Sequence, residues 1–474
     1  MSESIRGILD GQRAAFRRDG WPDLDVRLDR LTRLSKAVLR HEHDLVEALY
    51  GDFGGRSRFS SRTGDILGTV AAVDYTKAHL EEWMQPVRVA LPAEVEQHGT
   101  WAEVRHEPLG VVGAIIPWNG PVLLASIAAA GAFGAGNRVM LKLSEFAPRT
   151  AEALRAAFAE FFETTELAVV TGDSEVAAQF AAQPFDHLIY TGSTSVGRRV
   201  MRAAAENLVP VTLEMGGKSP VVIGRSAEPR STAHRIVTGK LASAGQVCVA
   251  PRLCPGTGGG NPALGRGVRP GGQRHLPRSA EQRGLHRDHR RTQLCPAPRT
   301  AGRRKAERCH AARPSRRCVA RDDRRQGRFP FVMLTGATFD ARVMQEEIFG
   351  PLLPILEYRD LSEALDAIRR NDRPLSACYF GTDPAEEAEV VRSVATGSIV
   401  VNDVRCQLFY EALPFGGVGP SGMGRYRGKE GFRTFSNAKT VLHQRADESV
   451  LARSRPPFAD AAKEAVIKRI EALQ

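Results

Sequence analysis

Residues 111–145 carry the strongest indication of the fold, and their sequence is VVGAIIPWNGPVLLASIAAAGAFGAGNRVMLKLSE. A short apolar run opens the stretch, an alanine-rich segment follows, and a second apolar run comes near its end. Short apolar runs are typical of parallel strands that are buried on both faces. The segment between them is long enough for a crossover helix. The stretch therefore predicts a βαβ unit, and with it an α/β protein.

The same alternation continues further along the chain. Apolar runs at 168–171, 187–190 and 209–213 are separated by helix-like segments at 174–182 and 198–206. Successive units of this kind form a parallel sheet that is covered by helices. Ligands of such sheets bind beyond the carboxyl ends of the strands. The sequence therefore predicts a binding crevice at that edge of the sheet.

Polar side chains follow the predicted strands at this edge. Asn119 follows the first strand, whereas Lys142, Ser144 and Glu145 follow the second. The turn TGSTSVG at 191–197 joins another strand to a basic helix, and its backbone N–H groups suit a phosphate. Each feature alone also has a simpler interpretation: a turn residue between prolines, an exposed ion pair, or ordinary turn glycines.

Two further blocks carry residues that are suited to covalent catalysis. Cys248 lies among small residues in LASAGQVCVAP at 241–251, and Glu214 lies beside two glycines in LEMGGKSP at 213–220. A lone cysteine is more often a buried free thiol than a nucleophile. A thiol together with a carboxylate that activates water is nevertheless sufficient for covalent acyl chemistry. We interpret Cys248 as a candidate nucleophile and Glu214 as a candidate general base.

The composition is that of a globular protein. The chain has 474 residues, 42% hydrophobic and 25% charged, which is enough for two or three domains. No apolar run reaches about 18 residues, and the amino-terminal segment lacks a signal-peptide pattern. Seven irregularly spaced cysteines without CxxC pairs favour a reducing compartment. These features predict a cytoplasmic protein with no membrane partner.

The net charge of +12 comes from one part of the chain, residues 252–328, here called the Arg-rich segment. It contains 21 Lys and Arg against 5 Asp and Glu, whereas the rest of the chain has 45 basic and 49 acidic residues. The segment has no Ile, Met, Phe, Tyr or Trp, and it shows no helical or strand period. The basic charge of the whole chain therefore says little about its partners.

Seven motifs in order resemble those of the aldehyde dehydrogenase superfamily, most closely the branch of coniferyl aldehyde dehydrogenases and class 3 aldehyde dehydrogenases. They are PWN at 117–119, LKLSE at 141–145, TGSTSVG at 191–197, LEMGGKSP at 213–220, GQVC at 245–248, EEIFGP at 346–351 and LPFGGVGPSGMG at 413–424. One such motif would be weak, but the ordered set is highly specific. The resemblance runs from about residue 10 to 251 and from 329 to 445, so it omits the Arg-rich segment.

The resemblance implies an α/β fold with a Rossmann-like NAD-binding domain, an α/β catalytic domain and a small β oligomerisation arm. The implied boundaries are 1–95 and 112–213 for the NAD-binding domain, 214–402 for the catalytic domain, 96–111 and 425–450 for the arm, and 451–474 for a C-terminal helix. It also implies a homodimer.

The implied reaction is the NAD(P)-dependent oxidation of an aldehyde, either aromatic such as coniferaldehyde or medium-chain aliphatic, to the carboxylic acid. Carried over by motif, Cys248 is the nucleophile, Glu214 the general base and Asn119 a donor to the oxyanion. The chemistry needs these residue types, because a thiolate adds to the aldehyde carbon and water then hydrolyses the thioester.

The other motif residues are implied to hold the dinucleotide. Lys142 and Glu145 would bind the adenosine ribose, and the turn with Ser193 would bind the pyrophosphate. Glu347 and Phe349 would position the nicotinamide ribose and ring, although phenylalanine is more often a core residue. The full predicted set is Trp118, Lys142, Glu145, Gly192, Ser193, Val196, Gly197, Glu347 and Phe349. Glu145 predicts NAD as the preferred cofactor with some use of NADP, because a 2′-phosphate would be repelled.

The Arg-rich segment takes the place of a fold-bearing stretch of similar length in the family. Three interpretations stay open: a disordered RNA-binding arm, a metal-binding tract, and out-of-frame translation between two compensating insertions or deletions. Its cysteines and His310 lack zinc-site spacing, so we predict no metal site. The matched length, the abrupt edges and the missing apolar residues favour a frameshift. Two smaller departures are Gly120, where relatives carry a larger residue, and segment 405–410, which lacks a histidine common there.

Three functions are compatible with these observations. The first is an NAD-dependent aldehyde dehydrogenase with a small-molecule aldehyde as substrate and no nucleic-acid partner. The second is a catalytically impaired relic that binds only nucleotide or a partner. The free energy lost when strands and helices over 252–328 have no apolar faces would exceed a net stability of ~5–15 kcal/mol. The third is an Arg-rich nucleic-acid-binding protein. The ordered motifs favour the first.

Overall fold

A computed structural model describes residues 4–97, 99–252, 254–257, 310–311, 331–444, 456, 458 and 460–474. The α-helices of these residues are α1 (Ile5–Asp19), α2 (Leu24–Arg40), α3 (Glu42–Asp52), α4 (Arg58–Ser61), α5 (Leu67–Met84), α6 (Ala93–Gln97), α7 (Pro121–Gly134), α8 (Pro148–Ala159), α9 (Ser174–Ala181), α10 (Thr194–Ala205), α11 (Pro229–Leu241), α12 (Arg342–Gln345), α13 (Leu361–Arg369), α14 (Pro384–Ser393), α15 (Gly428–Thr434) and α16 (Asp460–Glu471). A π-helix, Arg62–Ile66, joins α4 to α5. None of the described helices is long and apolar enough to cross a membrane.

The strands form three sheets. They are β1 (Val87–Val89), β2 (Trp101–Pro108), β3 (Val111–Ile115), β4 (Arg138–Lys142), β5 (Leu167–Val170), β6 (His187–Thr191), β7 (Val211–Glu214), β8 (Val221–Ile223), β9 (Cys254–Thr257), β10 (His310–Ala311), β11 (Val332–Thr335), β12 (Leu352–Tyr358), β13 (Ser376–Phe380), β14 (Ser398–Val401), β15 (Gly422–Met423) and β16 (Ser436–His443). The sheet orders are β1-β2-β16, β10-β11-β12-β9-β8-β13-β14 and β15-β7-β6-β3-β4-β5.

The six-stranded sheet contains the predicted βαβ unit as β3, α7 and β4, with β3 and β4 parallel. From β3 the chain first builds outward through β4 to β5, and then returns to β6 on the other side of β3. The strand order therefore reverses between β3 and β6, and ligands of open α/β sheets bind at such a switch point. The segment 116–120 and the turn that follows Thr191 both begin there.

Both faces of this sheet are buried. Val112 and Ala114 of β3 pack into a core with α2, α5 and α7, whereas Val111 and Ile115 pack on the opposite face. Helix α7 is buried on almost all sides, so its alanine-rich composition reflects close packing rather than amphipathic exposure. These contacts fix where β3 ends, and hence the position of the loop that carries Asn119.

The seven-stranded sheet corrects one expectation. The sequence predicted no strand within 252–328, yet β9 pairs in parallel with β12, and β10 pairs antiparallel with β11. Backbone N–H and C=O groups form such ladders whatever the side-chain period. The other expectations for the Arg-rich segment, including the frameshift and the RNA-binding arm, concern residues outside those described.

The three-stranded sheet joins two distant parts of the chain. Strand β16 pairs antiparallel with β2 from Ser436 opposite Pro108 to His443 opposite Trp101, and β1 pairs with the other edge of β2. β1 comes from residues that the sequence assigned to the NAD-binding domain. The sheet corresponds in position to the predicted arm, while the domain boundaries and the dimer remain predictions.

Candidate active site

A cavity of about 1950 Å³ opens at the carboxyl edge of the six-stranded sheet. The predicted site residues that line it are Trp118, Asn119, Lys142, Glu145, Gly192, Ser193, Val196, Glu214, Cys248, Glu347 and Phe349. Gly197 does not line it. The structure therefore brings the candidate nucleophile, base and oxyanion donor to the same cavity as most of the predicted cofactor residues.

Cys248 lies in a tight loop after α11. The loop begins with a 3-10 turn, Ala242–Gly245, in which Gly245 has a φ of +76°. A Cβ at Gly245 would lie 2.4 Å from the carbonyl oxygen of Gly350, so only glycine fits this approach. The Ser219 hydroxyl donates to the Cys248 carbonyl at 3.1 Å. These constraints explain the small residues around the cysteine and fix its position at the cavity wall.

The electrostatic environment keeps Cys248 protonated. Burial raises the pKa of the Cys248 thiol to about 11, with Arg252 opposing the rise and Glu214 adding to it. A thiol in this state is a poor nucleophile, since the thiolate is the reactive form. Glu214 and Cys248 both line the same cavity, so the carboxyl group is near enough to act on the thiol.

This shift gives a pH-dependence prediction for the free protein. Alkylation of Cys248 by iodoacetamide should accelerate about tenfold per pH unit from neutral pH to about pH 9, because the thiolate fraction rises in that proportion below the pKa. Peptide mass spectrometry of time points would give the rate at Cys248 itself. A rate that levels off near neutral pH would contradict the raised pKa.

Glu214 is the last residue of β7, and its side chain is buried, with 2% of the residue exposed. Neither carboxyl oxygen has a hydrogen-bond partner among the described residues. Burial raises the pKa of Glu214 well above its ordinary value, against the opposing effect of Arg425 and Arg427. A carboxyl group with two open acceptor positions in a cavity is suited to hold and deprotonate a water molecule.

Asn119 follows β3 and connects the first strand to the cysteine loop. Its Nδ2 donates to the carbonyl oxygen of Gln246 at 3.0 Å, two residues before Cys248. The amide is therefore oriented toward the nucleophile loop. A side-chain N–H at this place is suited to stabilise negative charge that develops on a carbonyl oxygen beside Cys248.

The cavity is also lined by the residues predicted to bind the adenosine ribose and the pyrophosphate. The Lys142 ammonium donates to the carbonyl oxygens of Leu143 at 2.7 Å and of Gly172 at 2.9 Å. Burial lowers the pKa of Lys142, and exposed Glu145 raises it, so the two charges lie close together. Ser193 caps the amino terminus of α10, where backbone N–H groups favour an anion.

Gly197 has a packing role in the 191–197 turn, and its role in cofactor binding stays a prediction. Its N–H donates to the Ser193 carbonyl at 2.9 Å, as part of the first turn of α10. A Cβ at this position would lie 2.6 Å from the sulfur of Met215. Gly197 therefore allows α10 to pack closely on the segment after β7, and it lies behind the cavity wall.

Arg252 is a site residue that sequence reasoning missed, because it was counted as the first residue of the Arg-rich segment. It is fully buried, and it donates to the carbonyl oxygens of Ile348 at 2.7 Å and of Gly217 at 3.0 Å. It also forms an ion pair with Glu347 at 3.0 Å and bonds the carbonyl of Cys248. Arg252 thus ties the cysteine loop to the Glu347 motif, and the Arg-rich segment must begin after it.

Arg405 and Tyr426 also line the cavity, although no motif pointed to them. Arg405 has a φ of +65°, and its Nε has no hydrogen-bond partner among the described residues. Burial lowers the pKa of Arg405, and Cys248 opposes this shift. Burial raises the pKa of Tyr426, which keeps its hydroxyl neutral. Arg405 lies in segment 405–410, where the sequence departs from the family pattern. That departure was the one feature of the sequence that could have pointed to Arg405.

The described residues contain no cluster of three or more His, Cys, Asp or Glu side chains that could hold a metal ion. The cavity combines a buried thiol, a carboxyl group without a hydrogen-bond partner among the described residues, and a helix terminus that suits an anion. These groups are those of an oxidoreductase or transferase that uses covalent acyl chemistry beside a bound nucleotide.

Sequence comparison identifies the class. The profile of the aldehyde dehydrogenase family matches residues 2–254 and 305–441. A probable coniferyl aldehyde dehydrogenase of Caulobacter vibrioides is 39% identical over 96% of this chain and 94% of its own length. A coniferyl aldehyde dehydrogenase of a Pseudomonas species is 40% identical over 97% of this chain and 95% of its own length. The match at 305–328 corrects the sequence expectation that the resemblance resumes at 329.

Solved structures agree with this result. Staphylococcus aureus AldH in its substrate-bound state superposes with a TM-score of 0.86 and 30% identity, covering 100% of both chains. A Pseudomonas syringae indole-3-acetaldehyde dehydrogenase in complex with NAD⁺ and IAA shares the fold, with a TM-score of 0.81 and 23% identity over 93% of this chain and 88% of that chain. The chain belongs to the aldehyde dehydrogenase family. The predicted family, fold class and NAD-dependent aldehyde-oxidising activity are confirmed.

Proposed function

We propose that Cys248 is the nucleophile, Glu214 the general base and Asn119 an oxyanion donor in the oxidation of an aldehyde to its carboxylic acid. The observation that carries this assignment is their convergence on one cavity: Asn119 bonds the cysteine loop at 3.0 Å, and the side chains of Glu214 and Cys248 line the same space. The test is aldehyde-dependent reduction of NAD by the wild-type protein, compared with the variants that are treated in the Discussion.

The first chemical step forms a covalent adduct. The Cys248 thiol loses its proton, and its sulfur adds to the aldehyde carbon, which makes a thiohemiacetal with the charge on the former carbonyl oxygen. The Asn119 amide N–H and the backbone N–H of Cys248 are the donors suited to that oxygen. Because the free thiol has a pKa of about 11, deprotonation limits this step at neutral pH unless a ligand changes the surroundings.

The site fits a nicotinamide dinucleotide. Ser193 at the amino terminus of α10 suits the pyrophosphate, and the fixed Lys142 ammonium with Glu145 suits a ribose. Trp118 and Phe349 pack edge to face at 5.6 Å on the side of Cys248, while Glu347 is fixed by Arg252. A nicotinamide held by these residues would supply the acceptor for the hydride of the aldehyde carbon. The adduct on Cys248 then becomes a thioester.

Glu214 completes the reaction. Its unpartnered carboxyl oxygens can accept a proton from a water molecule that attacks the thioester carbon, so that the acid is released and the Cys248 thiol is restored. Glu214 must be ionised for this step, and burial raises its pKa well above the ordinary value. The proton therefore passes from water to a group that binds it readily.

The substrate that we propose is an aromatic aldehyde of the coniferaldehyde type. Two relatives that span almost the whole chain bear the name coniferyl aldehyde dehydrogenase. Gly120 lines the cavity, and a Cβ there would meet nothing closer than Leu124 at 3.8 Å, so the glycine leaves room beside Asn119. A panel of aromatic and medium-chain aldehydes, ranked by kcat/KM, tests this: faster turnover of the medium-chain compounds would refute it.

Cofactor choice is open to a direct test at Glu145. We propose that NAD is preferred because the Glu145 carboxylate repels a 2′-phosphate, while neighbouring Lys142 allows some NADP use. Glu145→Gln should raise the ratio of kcat/KM for NADP to that for NAD by about tenfold. Glu163→Gln is a matched surface control that should leave the ratio unchanged. A wild-type preference for NADP would contradict the assignment.

We further propose a cytoplasmic homodimer in which the β1-β2-β16 sheet is the oligomerisation arm. Among the described residues, Cys248 and Cys406 are free thiols, which supports a reducing compartment. Strand β16 is largely exposed along its length, as a strand that meets a partner in the assembly would be. Light scattering of the purified protein tests the dimer, and a monomer at micromolar concentration would refute it.

A further inference from the structure

A buried ion pair lies behind the loop that carries Asn119. The Arg56 Nη2 donates to the Asp65 Oδ2 at 2.6 Å, and the side chains are 8% and 2% exposed. Both residues line the cavity. A buried ion pair of this kind is weak evidence for stability, because desolvation cancels much of its attraction. Its place in the site therefore calls for a different explanation.

Arg56 makes a second bond that reaches the site itself. Its Nη1 donates to the backbone carbonyl oxygen of Asn119 at 3.1 Å. The guanidinium also lies over the ring of Phe53 at 5.1 Å, and that ring packs against Trp118 at 5.9 Å. One planar guanidinium thus fixes the backbone of Asn119 and supports the aromatic residue before it.

Asp65 connects the same loop to the helix that follows. It lies in the π-helix Arg62–Ile66, a form that is rare and frequent at functional sites. Burial raises the pKa of Asp65, whereas Arg56 and the backbone amide of Leu123 lower it. Leu123 is in the first turn of α7, whose capping residue Gly120 supplies no side chain. Asp65 therefore lies beside the first turn of α7, the helix that follows the Asn119 loop.

We propose that Arg56 and Asp65 are positioning residues that hold Asn119 where its amide can stabilise the oxyanion formed on the substrate. The Arg56 guanidinium donates to the Asn119 carbonyl oxygen, and the Asp65 carboxylate holds the guanidinium in that position. On the far side, the Asn119 amide is held by the Gln246 carbonyl at 3.0 Å. This inference rests on the proposed role of Asn119 as an oxyanion donor.

The expected size of the effect follows from the geometry. Oxyanion donors act only from a narrow range of positions, and loss of one costs about 10²–10³ in rate. Displacement of the whole loop by about 1 Å costs about 10². Because Arg56 does not contact the reacting atoms, its removal should approach the effect of removing Asn119, and should not exceed it.

The test compares two reactions of Cys248 that need no cofactor. Acylation by p-nitrophenyl acetate passes through an oxyanion, whereas alkylation by iodoacetamide does not. Arg56→Met should slow acylation by about 30- to 100-fold and change alkylation by less than about twofold. Arg58→Met is the matched control, since it removes an exposed ion pair with Glu47 nearby and should leave both rates unchanged.

A variant series separates positioning from folding. Arg56→Met leaves the Asp65 carboxylate buried without its partner, which could destabilise the fold. The double variant Arg56→Met/Asp65→Leu removes both charges, so we expect it to remain folded. Its acylation should nevertheless stay slow. Arg56→Lys should restore part of the rate, because lysine can satisfy one of the two acceptors. In an Asn119→Ala background, Arg56→Met should have little further effect on acylation.

Two results would overturn the proposal: equal slowing of acylation and alkylation by Arg56→Met, or full additivity of Arg56→Met and Asn119→Ala. A different result would refute the proposed function, namely the absence of aldehyde-dependent NAD reduction in the wild-type protein. Because acylation and alkylation of Cys248 are measured without NAD, the role of Arg56 is decided separately from aldehyde oxidation.

Discussion

Cys248→Ala is expected to abolish aldehyde oxidation, with kcat reduced by a factor on the order of 10⁴ or more. Without the sulfur there is no covalent adduct, and the aldehyde carbon has no tetrahedral form from which hydride can leave. The residues assigned to the adenosine ribose and the pyrophosphate, Lys142, Glu145 and Ser193, are unchanged in this variant, so NAD affinity should change by less than about threefold. Initial rates of NADH formation and a fluorescence titration with NADH would measure the two quantities.

Cys378 and Cys406 provide matched controls. Cys378 is buried in β13, and Cys406 lies in the 3-10 turn Cys406–Phe409. Replacement of either by alanine should leave the dependence of the rate on aldehyde and NAD concentration close to that of the wild type. Activity that survives in Cys248→Ala but is lost in Cys406→Ala would place the nucleophile elsewhere.

Glu214→Gln is expected to separate the two halves of the reaction. Formation of the adduct does not use the carboxylate, whereas hydrolysis of the thioester does, so one equivalent of NADH should appear before turnover falls by about 10²–10⁴. Rapid-mixing measurements of NADH would show this burst followed by a slow steady state. Loss of the burst together with the steady state would contradict the role of Glu214 in hydrolysis alone.

The pH dependence of the hydrolysis rate is a second test of the role of Glu214. Burial raises the pKa of Glu214, so in the wild type the hydrolysis rate should increase with pH up to a point well above the ordinary carboxyl range. Glutamine does not ionise, and the variant should lack this limb of the profile. Glu411→Gln, at a partly buried carboxyl group that also lines the cavity and has a raised pKa, tests whether any such group would give the same limb.

The fold could be predicted because its signal is repeated and local. The apolar runs of β3 and β4 and the alanine-rich α7 each have the composition of fully buried elements, so one βαβ unit was sufficient to place the sheet. Asn119 and Glu214 could be predicted because both follow strands whose carboxyl ends meet at one edge. Cys248 needed the second block, since a cysteine alone is ambiguous.

The residues that were missed act through contacts between distant segments. Arg252 belongs to the site only because Ile348, some 96 positions later, brings its carbonyl to the guanidinium. Arg56 and Asp65 lie in a polar stretch that has the pattern of an exposed helix, and the π-helix that buries Asp65 has no sequence signature. Gly197 was assigned to the cofactor by its place in a motif, whereas its close packing on Met215 depends on the fold.

The most direct test of the central claim is intact-protein and peptide mass spectrometry of Glu214→Gln after reaction with NAD and an aromatic aldehyde. The account predicts a single acyl adduct on Cys248, absent without NAD and absent from Cys248→Ala/Glu214→Gln. An adduct on a different residue, or steady turnover by Glu214→Gln with no adduct at all, would contradict it.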